Sequence, residues 1–376
     1  MWTCDPPRRV DGRYARGGRA QAGWPPAAGQ TYKRGPGRIR GRDGPARGAG
    51  SVAATRTLPI ATPPDNSGAP VATPTDNSRA SVLIAARECA EAVKPGDTIA
   101  IGGILNTSHP MPVVRELIRL GTGGLHVVGI ANGLELDMLI AAGLVRRVST
   151  PTISGESIHP GAGPAFRRAA QRDEIEISEV DEGIVEVALQ AAAQRLPFAP
   201  WLGGLGTSLP EVSDDLVEIS SPFDDRPLLA VRALPVDVAI FHLGRSDRFG
   251  NAQPVGSGFG DKAMARAARL IFCTVERVVD NAEIRANPAR TMIPGADGIV
   301  QAPFGSHPFA SPGFYLADEP ALREYVAAAT TWYREDDRGP LDGWFERWLS
   351  GPEDHWEYLR RVGPGRLWGL EEGINP

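Results

Sequence analysis

A chain of 376 residues, 42% of them hydrophobic, is long enough for one large or two modest domains with a buried core. No apolar run approaches the roughly 18 to 20 residues that would cross a bilayer, and the N-terminus lacks the apolar centre of a secretion signal, so a cytoplasmic protein without a membrane partner is expected. Cys4, Cys89 and Cys273 stand far apart and in no metal-ligand spacing, which argues against a disulfide framework and against a metal site.

The net charge of −5 hides two unlike segments: residues 1–78 carry 12 Lys+Arg against 5 Asp+Glu, and the remainder 28 against 40. The first segment is a Gly/Pro/Arg/Ala mixture without periodic apolar residues. It cannot offset the entropy of ordering, so a disordered basic tail is expected, ending in the linker ATPPDNSGAPVATPTDNS. Such a tail is able to neutralise phosphates. A targeting peptide or translated upstream sequence explains it more simply, and nucleic acid is not an expected partner.

From residue 79 the pattern becomes α/β. SRASVLIAARECAEAV predicts a helix with Ser78 as N-cap, ended by KPG. DTIAIGG is a short apolar strand, ILNTSHP a loop, MPVVRELIRLG a helix with Pro112 in its first turn, LHVVGIAN a second strand and GLELDMLIAAGL a further helix. DVAIFHLG and RLIFCTVERVV read as two more buried strands around the helix DKAMARAA. Uninterrupted apolar strands separated by helices predict a mostly parallel sheet with helices on both faces.

Ligands of open parallel sheets sit beyond the carboxyl ends of the strands, which singles out the loops 102–110 and 244–260. Gly102 and Gly103 follow the first strand directly, where backbone N–H groups can approach a ligand oxygen, although a plain turn reads equally well. GSGFGD lacks the spacing of the dinucleotide fingerprint and follows a polar loop. No P-loop, zincin or nucleophile-elbow motif occurs. The stretch EISEVDEGIVEVALQAAAQRLPF crowds Glu176, Glu179, Asp181 and Glu182 at the start of an apolar helix. A helix N-terminus favours a carboxylate, and a partly desolvated one can act as nucleophile or general base. Acids also cap helices, and Asp181 or Glu186 could do so while Glu182 faces water. Glu156, beside Gly155, is the second acidic candidate, whereas Glu176 and Glu179 decorate a strand face. Trp332, Trp344, Trp348, Trp356 and Trp368 mark residues 331–376 as an extension that packs on a partner or on its own domain.

Three segments together carry a family resemblance: GDTIAIGG with HPMPVVRELIR, the run from 181 to 210, and VDVAIFHLGRSDRFGNAQPVGSGFGDKAMARAARLIFCTVERVV. They resemble the alpha-type subunits of family I CoA-transferases, glutaconate CoA-transferase in particular. The most specific part is the strand, then Asp247-x-x-Gly250-Asn251, then MARAA and a second strand. Residues 176–208 are also similar to the alpha-type subunit of the CoA-thioester hydrolase that opens the last rings in bacterial steroid degradation. The resemblance covers roughly residues 80–330, within an expected domain of residues 79–330.

It implies the fold shared by CoA-transferases and sugar-phosphate isomerases, working with a beta-type subunit in an αβ or α2β2 assembly. Coenzyme A is then a substrate, and no permanently bound cofactor is expected. In the transferases a glutamate attacks the acyl-CoA and becomes a glutamyl-CoA thioester, usually on the beta-type subunit; in the hydrolase the important glutamate lies in the segment matching DEG here. Glu182 is therefore the candidate catalytic residue and Glu156 the alternative. The resemblance further implies an oxyanion pocket at Gly102 and Gly103, and substrate contacts from Asn106, Ser108 and His109, where the family often has Ser-Arg/Lys-Lys-Pro. Gly206 falls in a loop near the active centre. Asp247 and Asn251 read as turn scaffold first and ligand contacts second. CoA transfer is the expected activity, with ring hydrolysis and a non-catalytic CoA-binding scaffold as the alternatives.

Overall fold

The computed structural model describes residues 80–256 and 258–372. The basic tail, its linker and Ser78 lie outside the described residues. The first half alternates helix and strand: α1 (Ala86–Ala92), β1 (Thr98–Ile101), α2 (Met111–Leu120), β2 (Leu125–Val128), α3 (Leu134–Ala141), β3 (Val145–Ser149), the hairpin of β4 (Ser154–Gly155) and β5 (His159–Ala162), α4 (Pro164–Gln171), β6 (Glu176–Ile177) and α5 (Glu182–Ala193). A small layer follows, made of β7 (Phe198–Trp201), α6 (Leu209–Val212), β8 (Leu216–Ser220) and β9 (Pro227–Arg232). The chain then returns to the main sheet with β10 (Val236–Ser246), β11 (Asn251–Gln253), α7 (Asp261–Ala267), β12 (Ala268–Val278), α8 (Asn281–Arg285), β13 (Ile293–Pro294) and β14 (Gly298–Gln301). It closes with α9 (Glu319–Glu335), α10 (Gly339–Phe345), α11 (His355–Val362) and α12 (Pro364–Glu372).

Seven strands run parallel in the order β14-β12-β10-β1-β2-β3-β6, and β11 and β13 extend the end of β10 in antiparallel fashion. The strands lack polar alternation because both faces are covered. Ile99, Ile101, Val127, Val238 and Ile240 enter a core with α1 to α4, α9 and α10, while their neighbours Ala100, Val128, Ala239 and Phe241 enter a second core with α5 and α7. β7, β9 and β8 form a separate antiparallel sheet. α5 lies between the two sheets: Val185 and Leu189 face the main one, and Ile184, Val187 and Ala188 the small one.

The predicted helix from residue 78 to 93 is shorter than expected. Only Ala86–Ala92 is helical, and residues 82–84 are extended, with Ile84 N–H donating to Ile299 O (2.9 Å) and Ile299 N–H to Val82 O (2.8 Å). The apolar VLI run satisfies its backbone on the edge of β14, which outweighs local helix propensity. Trp332, Trp344 and Trp348 join the main core, while Trp356 and Trp368 are exposed. Cys89 and Cys273 are buried free thiols on opposite faces of the sheet. Among the described residues no helix is long and apolar enough to cross a membrane, and no cluster of three or more His, Cys, Asp or Glu is placed to hold a metal ion.

Candidate active site

The carboxyl edge of the sheet gathers the ends of β1, β2, β6 and β10. At β1 the two glycines take a different role from the expected oxyanion pocket. Gly102 N–H donates to Ile240 O (2.9 Å) and Gly103 N–H to Asp261 Oδ1 (3.1 Å), so both donors are already occupied. Close approach explains the glycines: a Cβ on Gly102 would lie 2.3 Å from Phe241, and one on Gly103, at φ +100°, 2.6 Å from the Ser108 and Thr107 carbonyl oxygens.

His109, from which a substrate contact is expected, is fully buried. Its Nδ1 faces Gly102 O (3.1 Å) and its Nε2 faces Leu105 O (2.8 Å). The Glu135 carboxylate lies 3.2 Å away. Burial pushes Glu135 toward its neutral form, against the opposing pull of His109 and of hydrogen bonds from Asn132 and Gly133. This buried pair fixes the loop after β1 to the start of α3. In the same loop Asn106 Nδ2 donates to Gly155 O and Glu156 Oε2, both at 3.0 Å, which brings two candidates together. Leu105, Ser108 and Glu156 all adopt left-handed backbone conformations there. Ser108 borders a small pocket with His242, Gly244, Asp261 and Ser311.

Glu182 sits elsewhere on the same edge. Asp181 is the N-cap of α5, its Oδ1 accepting from Ile184 N–H at 2.7 Å, so capping does not occupy Glu182. Its exposed carboxylate has no hydrogen bond or ion pair among the described residues. With Gly183 and Glu186 it lines an open cleft of about 320 Å³ whose other wall is Ile130, Phe259 and Gly260. Gly183 packs closely on Trp201, whose ring edge would lie 3.1 Å from a Cβ at that position. The helix buries Ile184 and Val185 and thereby presents positions 182, 186, 190 and 194 as one outward stripe.

No contact joins Glu156 to Glu182 among the described residues. Gly206 lies in an exposed loop with φ +76° and open space at its Cβ position, so backbone conformation alone requires glycine. Asn251 gives its amide to Asp247 (2.7 Å), whose carboxylate also accepts from the N–H groups of Phe249 and Asn251 and from Asn281. Both are turn scaffold in this structure.

Asp261 carries no signal in the sequence. It is buried, and desolvation lifts its carboxyl to about 7, opposed by the Gly103 N–H. One residue earlier, Gly260 lines the Glu182 cleft, so α7 links the β1 glycines to that cleft. The Gly-rich approach to DKAMARAA is the available clue, but nothing local shows which strand receives Asp261. The buried set of His242, Thr274 and Glu276 (2.8 Å each from His242) is likewise invisible in sequence, because its members meet only across two paired strands.

Residues 82–301 match the coenzyme A transferase family. The IpdA subunit of the cholesterol ring-cleaving hydrolase of Rhodococcus jostii is 34% identical over 288 residues, covering 73% of this chain and 94% of that protein. The crystal structure of glutaconate coenzyme A-transferase from Acidaminococcus fermentans is similar with a TM-score of 0.73 and 28% identity, over 77% of this chain and 96% of the other. An uncharacterized protein of Archaeoglobus fulgidus is 34% identical over 284 residues, 75% of this chain, and the match spans 62% of its length. The fold and its glycine-lined sheet edge thus define an α/β enzyme subunit of the CoA-transferase type. The chain belongs to the coenzyme A transferase family, among the alpha-type subunits of family I.

Proposed function

We propose that this chain works with a beta-type subunit, in an αβ or α2β2 assembly in the cytoplasm, to move coenzyme A between an acyl-CoA and a carboxylic acid. The observation that carries the site is the unpaired Glu182 carboxylate at the mouth of a cleft on the sheet's carboxyl edge. In the reaction a glutamate oxygen attacks the thioester carbonyl, the C–S bond breaks, and an acyl-glutamyl anhydride and CoA thiolate result. The thiolate then attacks the glutamyl carbonyl, releasing the first acid and leaving a glutamyl-CoA thioester. The acceptor carboxylate reverses both steps and departs as the new acyl-CoA. Glu182 is the carboxylate of this chain proposed for that role, with Glu156 as the alternative. Hydroxylamine or borohydride trapping of the assembled complex, followed by peptide mass analysis, tests it: a modified Glu182 supports the assignment and an unmodified one opposes it.

The likeness to the cholesterol ring-cleaving hydrolase favours a second reading. There Glu182 serves as base or nucleophile for the hydrolytic opening of a CoA-linked ring. Product masses with and without an acceptor acid separate the two: CoA on the acceptor means transfer, and a product one water heavier without acceptor means hydrolysis.

A further inference from the structure

We propose that the cavity enclosed by β3, α5 and β9 binds a small aliphatic carboxylic acid as its free anion, with the carboxylate on Arg147 and Arg232 and the hydrocarbon chain turned inward. The cavity measures about 120 Å³ and lies where the core under α5 meets that of the small sheet. It shares no lining residue with the Glu182 cleft and is independent of the chemistry proposed there.

The lining divides into an apolar interior and a charged mouth. Val180, Ile184, Val185, Ala188, Val231 and Leu234 supply the apolar surface, and all but Val180 and Leu234 are buried. Arg147, Asp215 and Arg232 make the mouth, their side chains 30%, 28% and 66% exposed. Asp215 Oδ2 accepts from Arg147 Nη2 at 2.7 Å, and its Oδ1 stands 3.1 Å from Arg232 Nε. One carboxylate thus faces two guanidinium groups, and the mouth keeps an excess of one positive charge. Arg147 also gives its Nε to Ser178 Oγ (3.0 Å), which leaves Nη1 available to an acceptor. Ser149, the remaining polar residue of the wall, has its Oγ 2.6 Å from Ser178 Oγ and 2.8 Å from His126 Nε2. Burial lowers His126 to about 4, with Arg147 and Arg146 adding to the shift, so its ring is neutral at pH 7. The hydroxyls are therefore engaged within the protein, and the guanidinium groups are the donors a ligand can reach. A carboxylate matches a guanidinium in plane and in charge. An amine would meet the surplus positive charge, and the acid in the lining, Asp215, is already paired twice. The volume is close to that of an apolar cavity able to hold benzene and fits a chain of about four to six carbons. Such a chain restores contacts that an empty apolar void forfeits.

Calorimetric titration of the full chain with hexanoate, 1-hexanol and hexylamine tests the assignment, on wild type, Arg232→Gln and Ala188→Leu. Arg232 is exposed, so Arg232→Gln leaves the core unaltered. Ala188→Leu fills the cavity from the α5 side. Wild type is expected to bind hexanoate with a Kd on the order of 1 mM, and at least about tenfold more tightly than the alcohol or the amine. Arg232→Gln should weaken hexanoate about tenfold, the size of one lost charge-assisted contact, and leave 1-hexanol within about twofold. Ala188→Leu should abolish hexanoate binding while its Tm stays at or above that of wild type. Unchanged hexanoate affinity in Arg232→Gln would overturn the assignment whether or not Ala188→Leu folds. Hexanoate binding that survives in a folded Ala188→Leu protein would place the acid elsewhere and overturn it equally. Equal affinity for the three ligands, or no hexanoate binding by wild type at about 20 mM, would also overturn it. Each of these results leaves the proposed transfer reaction standing.

Discussion

Asp181 and Glu182 divide two duties that a cluster of acids at a helix start leaves undistinguished in sequence. Asp181 caps, at 2.7 Å from Ile184 N–H, and Glu182 is left facing a cleft. Asp181→Ala should therefore cost about 1 kcal/mol of stability in denaturant unfolding and leave kcat nearly unchanged. Glu182→Gln should leave stability unchanged and lower activity of the assembled complex at least about 100-fold. Asp261 carries a pH signature of its own. Its folded-state value of about 7 lies above the usual 3.8, so the native state holds this proton more tightly than the unfolded chain. The stabilisation it contributes is full below pH ~4 and lost as pH rises through ~7. Asp261→Asn is free of that loss, and its stability relative to wild type should grow between pH 4 and pH 8 by on the order of 3 kcal/mol. Denaturant midpoints across that range check this; a pH-independent difference would contradict the buried carboxyl.

At the scale of elements, the loop after β1 is held by the buried pair of His109 and Glu135 and by Asn106 on Glu156. His109→Ala removes the ring that faces the Gly102 and Leu105 carbonyls and leaves a cavity beside Glu135, and is expected to cost about 2 to 4 kcal/mol, measured by denaturant unfolding. This loop also shows what a sequence does not display. The glycines after DTIAIGG are legible as a close approach, but their N–H groups serve Ile240 and Asp261, partners 138 and 158 positions away. His109 reads as a loop residue because the burial that encloses it comes from α3 and Phe309. α5 and the parallel strands are legible from unbroken apolar runs, which report burial on both faces. The three-stranded sheet is not, since its strands leave Phe198, Val217 and other apolar residues exposed and so mimic loop composition.

For the whole molecule, the sheet is covered on both faces, and α5 and α7, packed together over one of them, border two adjoining clefts. Deletion of residues 1–78 is expected to leave thermal unfolding and activity unchanged, whereas deletion through residue 85 removes the pairing of 82–84 with β14 and should lower Tm by about 5 °C. The role of Glu182 is measured most directly with the chain co-expressed with a beta-type subunit, supplied with acyl-CoA and an acceptor acid and followed by mass, for wild type and Glu182→Gln. CoA is expected on the acceptor with wild type, with at least about 100-fold slower transfer by an intact Glu182→Gln complex. A fully active Glu182→Gln complex would contradict it.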